Sequence, residues 1–128
     1  MQKLITFYSF YLLLMLNACQ SDAQNKLNPD DFQAALQRDK NAQLIDVRTA
    51  DEFKSGHLEG AVNINFHDKD FAEQLAILDK NEPVMVYCAV GGRSGKAAAT
   101  LWQLGFTNVT DLAGGINAWK ANSKPVVQ

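Results

Sequence analysis

A cysteine, Cys88, and an arginine, Arg93, are separated by four small residues in the C-terminal half of the chain. The segment reads Cys-Ala-Val-Gly-Gly-Arg, and Cys88 ends an apolar run over residues 83–88. Such a run predicts a buried strand, and the alanine-rich stretch that starts at Arg93 predicts a helix. Because a thiolate is a strong nucleophile, Cys88 at the strand end is a candidate catalytic residue. The alternative for this residue is a small buried hydrophobe.

The loop between the predicted strand and helix can surround the sulfur with hydrogen-bond donors. Gly91 and Gly92 permit the positive φ angles of a tight loop, so that successive N–H groups of residues 89–93 can point inward. The helix that follows adds its N-terminal N–H groups and its dipole. Such surroundings lower a thiol pKa from its ordinary value of about 8.5. The loop therefore predicts a Cys88 thiolate and a cradle for an anion formed on its sulfur.

Other polar residues are predicted to organise the site rather than to react. Asp46, at the end of a predicted strand, can accept hydrogen bonds from loop N–H groups, and Arg48 can pair with Glu52 four residues later. His57 is predicted to bond a backbone oxygen rather than to act as a general base. The histidines and cysteines show no metal-ligand spacing, so neither a metal nor another cofactor is expected.

Short apolar strands alternate with helices along the chain. Predicted strands cover residues 43–47, 61–66, 83–88 and 108–112. One predicted helix starts at Asn28, and four others cover residues 49–56, 69–80, 93–105 and 114–122. This alternation is typical of a mostly parallel α/β sheet with helices on both faces. Reactive residues of such sheets lie at the carboxyl ends of the strands, where Cys88 is expected.

Four segments together resemble the single-domain rhodaneses, a family of sulfurtransferases. They are Leu-Ile-Asp-Val-Arg (44–48), the Gly-His-apolar-x-Gly-Ala segment within 52–64, the Cys-x-x-Gly-x-Arg loop (88–94) and Leu-x-Gly-Gly-x-x-x-Trp (112–119). They follow the order of the family, and the resemblance spans residues 26–122. It implies a rhodanese domain over residues 26–124, with a central sheet of about four to five short strands and helices on both faces.

The resemblance also implies the chemistry of Cys88. Its thiolate would take the sulfane sulfur of a small donor such as thiosulfate, and the N–H groups of the loop would hold the resulting persulfide. The implied substrate-binding residues are Ala89, Val90, Gly91, Gly92 and Arg93. An acceptor, either cyanide or a thiol, would then remove the sulfur in ping-pong turnover. Two roles stay open for the Arg93 guanidinium, which either binds the anionic end of the donor or pairs with a carboxylate.

Three other functions fit parts of the pattern. Phosphatases and arsenate reductases of similar fold place five residues between the cysteine and the arginine, and the four residues here disfavour them. A non-catalytic module that binds a partner has no need of an oxidisable thiol. A sulfur carrier with slow turnover and a protein acceptor is distinguished from an enzyme by its turnover with small thiols.

The first 18 residues resemble the signal peptide of a bacterial lipoprotein. An uncharged, mostly apolar run follows Lys3 and ends in Leu-Asn-Ala-Cys at Cys19, and it is too short for a comfortable transmembrane helix. The resemblance implies cleavage before Cys19 and lipid on its sulfur and amino group, so that residues 19–25 are the lipidated cysteine and a polar tether. The domain would then be exported and anchored to a bacterial membrane, facing the periplasm or the cell exterior. The alternatives are an uncleaved anchor and an unlipidated signal peptide.

The net charge and the cysteine content limit the kinds of molecule that the protein is expected to bind. The formal net charge is −2 and no basic run occurs, so nucleic acid is not an expected partner. The chain has two cysteines. With lipid on Cys19, Cys88 is the only remaining thiol, and the protein cannot resolve its own persulfide. An external acceptor is therefore required.

Overall fold

Strands and helices alternate through residues 25–128, which are the part of the chain that the computed structural model describes. The strands in this part are β1 (Asn25–Leu27), β2 (Gln43–Asp46), β3 (Val62–Asn63), β4 (Val84–Tyr87) and β5 (Val109–Leu112). The helices are α1 (Pro29–Arg38), α2 (Ala50–Lys54), α3 (Phe71–Ala76), α4 (Gly92–Gln103) and α5 (Gly115–Ala121). None of these helices is long and apolar enough to cross a membrane.

The strands form one sheet in the order β1-β5-β4-β2-β3, and every neighbouring pair is parallel. The most apolar predicted strand, β4, lies at the centre, and all four of its residues are buried. Since parallel strands buried on both faces need no polar alternation, this explains the continuous apolar run before Cys88. The order also places the carboxyl end of β4 between those of β2 and β5.

Helices cover both faces of the sheet, which confirms the predicted α/β fold. On one face, α3 and α4 pack on Val84, Val86 and Cys88. On the other face, α1 and α5 pack on Met85 and Tyr87. Successive residues of β4 thus belong to two separate hydrophobic clusters, because neighbouring side chains of a strand point to opposite faces of the sheet.

Two strands differ from the sequence prediction, and α3 has six residues in place of the helix predicted over residues 69–80. β1 starts at Asn25, which belongs to the polar segment predicted as a tether. This edge strand is held by backbone pairing with β5 and has no apolar alternation that the sequence could reveal. β3 has two residues in place of the predicted strand over 61–66, although the N–H groups of Ile64 and Phe66 still bond the carbonyls of Asp46 and Val47. The predicted signal peptide and Cys19 lie outside the described residues.

Candidate active site

Cys88 follows directly after β4, and its side chain is only 1% exposed. The N–H of Gly91 donates to its Sγ at 3.0 Å, and the thiol lies 3.3 Å from Oγ of Ser94 in the first turn of α4. Gly91 has a φ of +116°, so a residue without a Cβ allows the chain to turn from the loop into α4. The strand, loop and helix therefore hold the sulfur in the predicted place.

The surroundings of the sulfur favour its ionised form. Burial alone disfavours a charge and raises the Cys88 pKa, but hydrogen bonds from the Ser94 hydroxyl and from the N–H groups of Ser94, Gly91 and Val90 outweigh it. The net result is a lowered pKa. Val90 and Gly91 are thus the predicted loop residues whose N–H groups act on the sulfur, and Ser94 is an addition that was not predicted.

The Gly114-Gly115 pair at the start of α5 lets this helix contact the backbone of the Cys88 loop. The N–H of Ile116 donates to the Cys88 carbonyl at 2.9 Å, and that of Asn117 donates to the Ala89 carbonyl at 3.1 Å. A Cβ on Gly115 would lie 2.4 Å from the Ala89 carbonyl oxygen. The glycine therefore allows α5 to approach the loop backbone and fix the position of Cys88.

Arg93 is paired with a carboxylate, which is one of the two roles left open for it. Its Nη1 lies 2.7 Å from Oε1 of Glu52, and its Nη2 lies 3.0 Å from Oε2. This two-bond geometry makes a specific ion pair between α2 and the first turn of α4, with the Arg93 side chain 24% exposed. It also corrects the predicted pairing of Glu52 with Arg48.

Arg48 instead pairs with Asp46, and both side chains are buried. Nη2 of Arg48 lies 2.7 Å from Oδ2 of Asp46 and also donates to the Gly56 carbonyl at 2.6 Å. The Asp46 carboxylate accepts the Arg48 N–H as well, at 2.9 Å. These contacts join the end of β2 to the segment after α2, so the pair has the geometry of a supporting element.

His57 binds a backbone oxygen, as predicted. Its Nδ1 lies 2.9 Å from the Phe53 carbonyl oxygen, and its ring stacks on that of Phe53 at 3.7 Å between centroids. Its backbone pairs with Val127 near the C-terminus. These contacts account for His57 as a residue that ties the connection after α2 to the C-terminal segment.

The Glu52–Arg93 pair predicts how acid weakens the protein. The Arg93 hydrogen bond lowers the Glu52 pKa to about 2 from 4.5, although burial opposes this shift. Because the folded-state pKa is depressed, the stabilisation is complete above pH 4.5 and is lost as the pH falls towards 2. Glu52→Gln should therefore lower the free energy of unfolding at neutral pH, by at most about 1 kcal/mol for a partly exposed pair. Urea unfolding at a series of pH values measures the difference.

Glu59→Gln is the matched control, since Glu59 is an exposed glutamate in the next connection. We expect the Glu52→Gln difference from wild type to shrink on acidification and the Glu59→Gln curve to follow wild type throughout. A Glu52→Gln difference that stays constant down to acid pH would show that the carboxylate charge is not its source.

Comparison with known proteins identifies the family. Residues 28–122 match the model of the rhodanese-like domain. The chain belongs to this family. The rhodanese resemblance drawn from its four motifs is thus confirmed, and the family match covers every residue placed around Cys88 above.

Named relatives of this rhodanese-like chain include sulfurtransferases. It is 38% identical over 91 residues to thiosulfate sulfurtransferase 16, chloroplastic, of Arabidopsis thaliana, an alignment that covers 63% of this chain and 76% of the relative. It is 35% identical over 101 residues to thiosulfate sulfurtransferase GlpE of Pseudomonas aeruginosa, covering 79% of this chain and 88% of the relative. These matches place the chain in a sulfurtransferase family.

Solved structures agree with the rhodanese fold. A rhodanese-related protein from Thermoplasma volcanium superposes with a TM-score of 0.71 at 32% identity, covering 80% of this chain and 97% of that one. The rhodanese-like domain of an Anabaena protein also gives a TM-score of 0.71, at 25% identity, covering 81% and 79%. The parallel sheet that carries Cys88 at its centre is therefore that of the family.

Proposed function

We propose that this protein is a rhodanese-type sulfurtransferase that carries a sulfane sulfur on Cys88. The observation that supports this most directly is the cradle around Sγ, where the Gly91 N–H lies at 3.0 Å and the Ser94 hydroxyl at 3.3 Å. The Gly91 N–H stabilises the thiolate that attacks, and so does the Ser94 hydroxyl once its proton turns towards the sulfur. The same groups suit the anionic terminal sulfur of a persulfide.

The proposed reaction has two displacement steps. With thiosulfate as donor, the Cys88 thiolate attacks the outer sulfur, a bond forms between Sγ and that sulfur, and the bond to the oxidised sulfur breaks. The electron pair leaves with sulfite. In the second step cyanide or an acceptor thiolate attacks the outer sulfur of the persulfide, and Sγ departs as the thiolate. The products are thiocyanate or a new persulfide, and the enzyme returns to its starting state.

The loop favours hydrogen bonding over net charge in binding a donor. Arg93 is the one cation among residues 88–93, and its charge is already matched by Glu52. A small anionic donor is therefore received chiefly by loop N–H dipoles. We expect thiosulfate to be used with modest affinity, and an uncharged or singly charged persulfide donor to be accommodated at least as well.

The persulfide itself is the test of this function. Trypsin cleaves after Lys80 and Arg93, so that residues 81–93 form one peptide containing Cys88. After incubation of the reduced full-length chain with thiosulfate and alkylation, this peptide should gain one sulfur atom, as measured by mass spectrometry. Cyanide added before alkylation should remove the gain. A reduced chain that gains no sulfur from thiosulfate or from a small persulfide would contradict the proposed activity.

We further propose that the domain is tethered to a bacterial membrane by lipid on Cys19 and faces the periplasm or the cell exterior. The proposal is supported by the apolar segment and the Leu-Asn-Ala-Cys sequence that precede the domain. The protein then acts on donors and acceptors at that surface.

Cys19→Ala should release the domain from the membrane fraction or leave it as an uncleaved precursor, because the acylated sulfur is missing. Fractionation of bacteria that express the full chain, with detection of lipid by phase partitioning in detergent, measures this. Cys88→Ser is the matched control and should fractionate like wild type. Unchanged lipid-dependent partitioning of Cys19→Ala would contradict the proposed anchor.

A further inference from the structure

Asp111 on β5 is a buried carboxyl group that the proposed reaction does not use. Its side chain is 1% exposed, and neither carboxyl oxygen has a hydrogen-bond partner among the described residues. Burial raises its pKa, and nearby groups, the Ser94 hydroxyl first among them, offset this only in part. A buried acid without a bonded cation avoids the desolvation of a charge by keeping its proton. Burial without a bonded cation therefore favours the protonated form of the Asp111 carboxyl.

The sheet places Asp111 on the same face as Cys88. Asp111 is paired in register with Val86 of the parallel strand β4. Side chains two residues apart in an extended strand share a face, so Val86 and Cys88 both point towards α4. Helix α4 buries Ser94 completely against this face. The Ser94 hydroxyl thus neighbours the sulfur, at 3.3 Å, and also the Asp111 carboxyl, whose pKa it lowers.

Ionisation of the thiol changes what the Ser94 hydroxyl must do. A hydroxyl has one proton to donate and two lone pairs that accept. In the thiol state the Cys88 S–H donates to Oγ of Ser94, whose own proton is directed at the Gly91 carbonyl at 3.3 Å. In the thiolate state the sulfur becomes an acceptor, and the Ser94 proton must turn towards it. The Ser94 oxygen then has a free lone pair that can accept from a new donor.

We propose that Asp111 is a positioning residue for Cys88, whose protonated carboxyl donates to the Ser94 oxygen when the thiolate forms and so directs the Ser94 proton at the sulfur. The importance of this Asp111–Ser94–Cys88 hydrogen-bond network for turnover rests on the proposed function, in which the thiolate is the nucleophile. An ionised Asp111 would act in the opposite sense, because it would attract the Ser94 proton away from the sulfur.

The strands and the helix packed around Asp111 determine which charged groups can affect its protonation. From β1, Lys26 is its register partner and its positive charge favours ionisation of Asp111. From β4, Val86 is opposite and uncharged, and Cys88 follows two residues later. The buried face of α4 offers only uncharged side chains, which are Ser94, Ala97, Ala98 and Leu101. Lys26 and Cys88 are thus the titratable groups to consider.

The test titrates the Cys88 thiol through its rate of alkylation. The full-length chain in detergent micelles is pulsed with iodoacetamide at a series of pH values and digested, and the alkylated fraction of peptide 81–93 is measured by mass spectrometry. This peptide excludes Cys19, so it reports Cys88 alone. The midpoint of the rate profile gives the thiol pKa.

Three single variants and one double variant separate the roles of Asp111 and Ser94. Asp111→Asn keeps a donor towards Ser94 and should leave the thiol pKa near the wild-type value. Asp111→Leu removes the donor and should raise the thiol pKa by about 1, as expected for one hydrogen bond to a charged group. Ser94→Ala should raise it at least as much. Adding Asp111→Leu to Ser94→Ala should change nothing further, because Asp111 acts only through the hydroxyl.

An unchanged thiol pKa in Asp111→Leu would overturn the proposal, and so would an equal rise in the presence and absence of Ser94. Asp111→Val replaces Asp111→Leu in the same cycle if the latter does not fold. The alkylation requires no sulfur donor. A chain that shows the coupling but takes no sulfur from thiosulfate or a persulfide would therefore support the role of Asp111 and contradict the proposed function.

Discussion

Replacing Cys88 with serine is expected to abolish sulfur transfer, with turnover falling by at least about 10³-fold. The serine hydroxyl is not ionised at neutral pH and forms no persulfide, so the first displacement has no nucleophile. The rate of thiocyanate formation from thiosulfate and cyanide measures the loss. No peptide from the variant should gain sulfur when the protein is incubated with thiosulfate.

The fold of Cys88→Ser is expected to persist. Serine matches cysteine closely in size, and its hydroxyl can keep the partners that the sulfur has in Gly91 and Ser94. Thermal unfolding followed by circular dichroism should therefore show a shift of no more than about 2 kcal/mol in stability. Cys19→Ala, which leaves the site untouched, should retain full transfer in detergent. Substantial transfer by folded Cys88→Ser would assign the chemistry to another group.

The centre of the site could be predicted from sequence because its geometry is local. A buried apolar strand, two glycines and a helix start within a few residues of one another, so few arrangements of Cys88 and its neighbouring N–H groups are sterically allowed. The sequence also indicates that the Ser94 side chain is buried. With Ala97, Ala98 and Leu101 it completes a helical stripe of small or apolar side chains, which marks the buried face of α4.

The charged partners could not be predicted because they depend on tertiary distances. Glu52 is 41 positions from Arg93, and only the folded sheet brings α2 to the loop after β4. Arg48 had two carboxylates within reach along the chain, and the bonds to Asp46 and to the Gly56 carbonyl were favoured over Glu52. Asp111 is an interior residue of a short strand, and the sequence does not show that its carboxyl oxygens have no hydrogen-bond partner among residues 25–128.

Substituting alanine for Gly115 is expected to lower both stability and transfer. Gly115 has a φ of +62°, and a Cβ there would lie 2.4 Å from the Ala89 carbonyl oxygen and 2.5 Å from that of Cys88. Neither carbonyl can move freely, because each accepts a hydrogen bond from the first turn of α5. We expect Gly115→Ala to reduce the free energy of unfolding by about 2–4 kcal/mol. The displaced Cys88 backbone should also lower the transfer rate of the folded fraction.

Gly60→Ala distinguishes the effect of the steric clash at Gly115 from the strain of a positive φ angle, which both glycines have. Gly60 also has a positive φ, +83°, but a Cβ there would meet no atom within 4 Å. Its substitution should therefore reduce stability by only about 1–2 kcal/mol and leave the transfer rate of the folded protein unchanged. Urea unfolding and the thiocyanate assay on both variants give the comparison. If the two substitutions had equal effects on both measurements, the contact of α5 with the loop carbonyls would not be what positions Cys88.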